Sequence, residues 1–216
     1  MKKYVMLCAM IIICALAAAV SAQQFKPKEI KMDTNFDGVV DRIERYDENG
    51  AVLRVEADTS GDGKIDEWVY YENGTPKRAE RDVNGDGKAD AFLTYDKDGK
   101  IANSEVDTNS DGKTDEWVSY KDSKPIRADR DTSGDGKMDE WVYYKDGNID
   151  RVERDTTGNG KPDTYVIYEN GIIIRAESDT TGDGKIDKWV YYKDGNPAKA
   201  EKDTNNDGKP DTFLAY

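Results

Sequence analysis

Eight times along this chain of 216 residues, side-chain oxygens recur at alternate positions of a nine-residue stretch that ends in aspartate. At positions 1, 3, 5 and 9 the first copy carries Asp33, Asn35, Asp37 and Asp41, and the second Asp58, Ser60, Asp62 and Asp66. The third carries Asp82, Asn84, Asp86 and Asp90, and the fourth Asp107, Asn109, Asp111 and Asp115. Asp131, Ser133, Asp135 and Asp139 make the fifth, and Asp155, Thr157, Asn159 and Asp163 the sixth, the one copy with an amide at position 5. Asp179, Thr181, Asp183 and Asp187 make the seventh, and Asp203, Asn205, Asp207 and Asp211 the eighth. Position 6 is glycine in every copy, from Gly38 to Gly208, and position 7 is lysine in all but the first. A hard cation such as Ca²⁺ takes roughly six to eight oxygen ligands in loose geometry. A short loop can supply them when alternate side chains turn inward, a glycine bends the chain sharply, and position 7 offers its carbonyl. Up to eight Ca²⁺ ions, one per loop, are the expected cofactor. Mg²⁺, which demands tighter octahedral geometry, suits such loops less well.

The first six positions resemble the EF-hand loop, with its Asp-x-[Asp/Asn]-x-[Asp/Asn]-Gly run. The resemblance stops at position 12, where an EF-hand needs a glutamate on an exiting helix. Here that position is Val69, Leu93, Val118, Val142, Val166, Val190 or Leu214, with Glu44 in the first copy alone. The nine-residue pattern is more similar to the Asp-rich loops of FG-GAP propeller repeats and of thrombospondin type 3 repeats. That resemblance covers the loops, about a third of the chain, and implies calcium held between strands. A plain reading as polar Asp-Gly turns explains the glycine. It leaves unexplained three carboxylates at positions 1, 5 and 9, which repel one another unless something positive lies between them.

These loops start 24 or 25 residues apart and never change length. After each comes a short run rich in Trp, Val and Tyr, such as 67–71, which is strand composition. Asn-Gly or Asp-Gly follows in most copies, the residue pair that a tight hairpin turn requires. A second short strand leads to the next loop. Counting outward from Asn73-Gly74, Tyr71 should face Pro76, Val69 should face Arg78, and Trp68 should face Ala79. By the same count Trp141 meets Val152, Trp189 meets Ala200 and Trp117 meets Ala128. Residues 28–32 read as the second strand of a preceding unit. The expected fold is all-β: about sixteen strands in an elongated, twisted antiparallel meander of 24-residue hairpin repeats, with turns on one edge and loops on the other. A closed barrel or small propeller is the alternative. Tyrosine at position 14 in every copy, and Trp68, Trp117, Trp141 and Trp189 at position 11, should place aromatic rows on both faces. Those rows read first as packing and second as a sugar- or polymer-binding ladder. An acid two residues before each following loop, with a base two residues earlier in most copies, suggests a lateral charge ladder.

Met1-Lys2-Lys3, an apolar run to Val20 and Val20-Ser21-Ala22 have the layout of a signal peptide over residues 1–22. Residues 23–216 are then the mature eight-repeat domain, secreted or periplasmic, with no membrane span after cleavage. Both cysteines, Cys8 and Cys14, fall within the signal, so disulfides are not expected to stabilise the mature chain. The full chain carries a charge of −13 and no histidine. Removing Lys2 and Lys3 leaves −15, and eight divalent ions would bring it to +1. Such acidity disfavours nucleic acid as a partner. Without His, Cys, a nucleophile motif or a phosphate loop, an enzyme is not expected. A calcium-stiffened scaffold is the leading expectation, facing an extracellular protein or polysaccharide. The alternative is a calcium-dependent adhesin or carbohydrate-binding module using the aromatic rows.

Overall fold

The computed structural model describes residues 27–216. The signal segment and both cysteines lie outside them. The described chain forms β1 (Glu29–Met32), β2 (Arg42–Tyr46), β3 (Val52–Ala57), β4 (Glu67–Glu72), β5 (Thr75–Arg81), β6 (Ala91–Tyr95), β7 (Ile101–Val106) and β8 (Glu116–Lys121). It continues as β9 (Lys124–Arg130), β10 (Glu140–Lys145), β11 (Asn148–Arg154), β12 (Thr164–Glu169), β13 (Ile172–Ser178), β14 (Lys188–Lys193), β15 (Asn196–Lys202) and β16 (Thr212–Ala215). All sixteen strands lie in one antiparallel sheet in chain order. The sheet is open: β1 and β16 are its edges, so neither the barrel nor the propeller forms. Among the described residues no strand touches any strand except its neighbours in the chain, which makes the sheet a single layer.

The nine-residue loops join β1 to β2, β3 to β4 and so on, and the short turns join the other pairs. Asn73 and Gly74 both have positive φ (51° and 76°), as do Asp146 and Gly147, Asn170 and Gly171, and Asp194 and Gly195. This is the backbone a two-residue hairpin needs, and Asp122-Ser123 adopts it without a glycine.

The register differs from that expected. Tyr71 does face Pro76, but Val69 faces Ala79 and Trp68 faces Glu80. Likewise Val142 faces Val152, Val190 faces Ala200 and Val118 faces Ala128, while Trp141, Trp189 and Trp117 face Glu153, Glu201 and Asp129. The cause is a β-bulge in every hairpin, with Lys77 of β5 unpaired opposite Tyr70 and Tyr71 of β4 and the equivalent residue unpaired elsewhere. Because a one-residue slip moves a side chain to the other face, the extra residue brings Ala79 to the valine face and Glu80 to the tryptophan face. The position-12 valines and their small partners then form the core, with Ala128 0% and Val142 1% exposed. Tyr120, Tyr144 and Tyr168 pack over it. Val55, Val69 and Ala79 form a second cluster. Between the two clusters the row passes through Ser104, buried on β7 with its hydroxyl 3.4 Å from that of Tyr120.

The opposite face is polar and aromatic. Arg54 of β3 and Arg78 of β5 both lie over the ring of Tyr70 on β4, at 5.1 and 4.7 Å, and Arg127 and Arg151 flank Tyr143 in the same way. The charge ladder runs mainly along strands and not across them. Arg78 pairs with Glu80 at 2.5 Å, Arg127 with Asp129 at 2.6 Å and Arg151 with Glu153 at 3.1 Å, each two residues apart. Alternation along a strand places such residues on one face. Lateral bridges mostly use other residues, as where Arg130 joins Glu116 on β8 to Glu140 on β10, although Arg45 on β2 also reaches the ladder acid Glu56 on β3 at 2.9 Å.

Candidate metal-binding loops

Each loop is organised from both ends by its two outer aspartates. In the fifth copy Asp131 accepts hydrogen bonds from the amides of Gly134 at 2.7 Å, Asp135 at 3.3 Å and Gly136 at 2.6 Å. Convergence of three amides on one carboxylate requires the chain to curl back, and it does so at two residues. Position 6 has φ between 84° and 92° in all copies, with Gly38 at 92° and Gly160 at 84°. Position 4 is also left-handed, at Gly61, Gly85, Gly134, Gly158 and Gly182, and at Phe36, Ser110 and Asn206 as well. The recurrence of glycine at position 4 in five copies was the available signal for that second bend. We expect Gly136→Ala to cost about 1–2 kcal/mol through left-handed strain. Gly134→Asn should be close to neutral in urea unfolding, because Asn206 already holds that position at φ 61°.

Position 9 closes the loop. Asp66 accepts from the Thr59 amide at 2.9 Å, the Thr59 hydroxyl at 2.7 Å and the Ser60 amide at 2.8 Å. Position 2 is threonine in seven copies, and that hydroxyl is a loop-forming residue that spacing alone did not single out. Asp41, Asp66, Asp90, Asp115, Asp163 and Asp187 are buried, whereas positions 3 and 5 are exposed in every copy.

The exposed position-5 residues make tight turns of their own. Asp62 accepts the Lys64 amide at 2.9 Å through Oδ1, and Asp86, Asp111 and Asp135 do the same with Lys88, Lys113 and Lys137. The second oxygen of each takes no backbone amide among the described residues. Asn159 reproduces the bond with its amide oxygen, to Lys161 at 2.8 Å, so the sixth loop keeps its shape with one charge fewer.

Ligand-capable oxygens of Asp33, Asp37 and Asp41 lie within 4.8 Å of one another, so the first loop gathers positions 1, 5 and 9. Among the described residues no other loop brings three acids that close. In every copy, the first included, positions 1 and 9 both accept the loop's own donors, while the side chains of positions 3 and 5 lie exposed. The donor set is all oxygen, which fits a hard cation and not a thiol- or imidazole-seeking one.

Burial raises the pKa values of Asp131, Asp155 and Asp179, but the loop's donors together, led by the amides of Gly136, Gly160 and Gly184, outweigh it and hold all three below the ordinary 3.8. A carboxyl depressed on folding stabilises the fold above its unfolded value, and that contribution is lost as pH falls through the folded value. The metal-free chain should therefore lose melting temperature as pH drops below about 4. A flat profile from pH 5 to pH 3 would show that these amides contribute nothing.

No family pattern matches the chain, and no characterised protein sequence does. Among solved structures, the crystal structure of accessory secretory protein 1,2 and 3 in Streptococcus pneumoniae matches at 13% identity with a TM-score of 0.33. The match covers 41% of this chain and 17% of that one, so this chain spans a small part of that protein's length. A likeness of that size carries no functional argument.

Proposed function

We propose that this is an exported calcium-binding scaffold, in which up to eight Ca²⁺ ions stiffen one edge of a single-layer sheet. The observation that carries the reading is the convergence of Asp33, Asp37 and Asp41 within 4.8 Å, in a loop whose pattern recurs seven more times. Adjacent loops are two strands apart, about 10 Å, close to the Debye length at physiological salt. Unloaded loops of like charge therefore repel along the edge, and cations relieve that repulsion. In the mature protein, secreted or periplasmic, the ion serves as a structural element and the faces remain available to an extracellular protein or polysaccharide. The position-14 tyrosines support packing over sugar binding, since Tyr120, Tyr144 and Tyr168 pack against the buried valine row. Nothing in this reading needs catalysis.

The test is thermal melting and far-UV circular dichroism of the chain in EDTA and after calcium is restored. Calcium should raise the transition and sharpen the strand signal, with magnesium much less effective. Identical curves in all three buffers would sink the proposal.

A further inference from the structure

The aspartate that closes each loop also fastens it to the next. In the fourth loop the Asp115 amide donates to the Val106 carbonyl at 2.9 Å, pinning the loop's two ends together. The Asp115 carbonyl accepts the amide of Asp131, the first residue of the fifth loop, at 2.8 Å. All seven junctions repeat this bond, from Asp58 to Asp41 at 2.8 Å through Asp203 to Asp187 at 2.8 Å. The Asp115 side chain is meanwhile occupied within its own loop. It accepts the Thr108 amide at 2.9 Å, the Thr108 hydroxyl at 2.8 Å, and both the backbone and side-chain amides of Asn109 at 3.2 Å. It is only 4% exposed. Beyond the junction, Asp131 gathers the amides of its own loop. A continuous run of hydrogen bonds thus leads from Thr108 and Asn109 through Asp115 and Asp131 to Gly134 and Gly136. Side chains add to one junction, where the Asn206 amide donates to Asp183 of the preceding loop at 2.5 Å.

We propose that in the interior loops the position-9 aspartates are joints and not ligands, and that they couple the eight loops into one array. A loop ordered by its cation holds its position-9 residue, which holds the first residue of the next loop and raises that loop's affinity. Sequence spacing places position 9 among the ligands. Its burial and its in-loop donors give it this different work, whereas positions 3 and 5, exposed at the loop tip, are left to the ion. This inference rests on the calcium reading.

Two variants of the full chain separate joint from ligand. Asp111→Ala removes a position-5 oxygen of the fourth loop, and Asp115→Ala keeps the main-chain bond to Asp131 but removes the carboxylate that holds the joint in place. In EDTA, hydrogen exchange of the Asp131 amide should quicken about tenfold or more in D115A, as for local opening, and stay within about twofold of wild type in D111A. At saturating calcium, equilibrium dialysis should show about one ion lost in D111A and none in D115A, whose calcium titration should instead shift to several-fold higher concentration. Equal loss of a single ion in both variants, or unchanged Asp131 exchange in D115A, overturns the coupling. If wild type binds no calcium, the calcium reading fails, and the exchange rates still decide whether Asp115 is a joint. Should D115A not fold, Thr108→Val, which deletes one donor to Asp115, carries the same comparison at smaller amplitude.

Discussion

Adding about 1 mM calcium to the EDTA-treated chain should raise its melting temperature by roughly 20–40 °C. The size follows from linkage. An exported calcium module has a Kd of about 10⁻⁴–10⁻³ M, and at the tighter end 1 mM ion contributes ~1.4 kcal/mol per site. Eight sites give ~11 kcal/mol, and a chain of this size gains about 2–4 °C per kcal/mol. The sheet makes so large a dependence plausible on physical grounds. It is a single layer, and its core is a row of valines and alanines with Ala128 and Val142 at its centre. No second layer covers either face among the described residues, so the loop edge contributes a large share of the cohesion. Raising sodium chloride in EDTA should recover a minor part of the shift by screening loop repulsion. A rise of only a few degrees would mean that few loops take an ion.

The second large effect is metal-independent. Asp187 is 0% exposed and accepts the Thr180 amide at 2.9 Å, the Thr180 hydroxyl at 2.7 Å and the Thr181 amide at 3.0 Å. Asp187→Ala strands three donors at the base of the loop, and each orphaned buried group costs about 1–3 kcal/mol, less where water can enter. The expected loss is about 3 kcal/mol in urea unfolding with EDTA present. Asp135→Ala, at an exposed position 5, should cost less than about 1 kcal/mol under the same conditions. In calcium the ranking narrows, because Asp135 then also matters to the ion. Equal metal-free costs for the two variants would show that burial of position 9 does not matter.

Much of this architecture is legible in the residues themselves. A loop that never changes length while its flanks do identifies the unit, and Asn73-Gly74 identifies the hairpin. Strand order follows, because short connections leave a strand little choice but its neighbour. The register was not legible. A turn fixes pairing next to itself, so Tyr71 opposite Pro76 is right, but the bulge one step on has no residue signature: the skipped residue is Lys77, Ile126 or Asp150. The role of position 9 was hidden for a different reason. Composition counts oxygens, but only geometry shows that those of Asp66 already belong to Thr59 and Ser60. Thr59 itself could have been noticed, since a hydroxyl two residues into a turn commonly bonds back to it. The row of arginines over Tyr70 and Tyr143 depends on position 13, which lies between the two aromatic positions that recur most regularly.

The most direct measurement is the number of calcium ions each chain retains in equilibrium dialysis at about 5 mM free calcium, well above the expected Kd. We predict a count approaching eight, with the sixth loop, at Asn159, the last to fill. A count of one or none, with the fold intact, would contradict it and leave the Asp-rich loops as turns closed by their own amides.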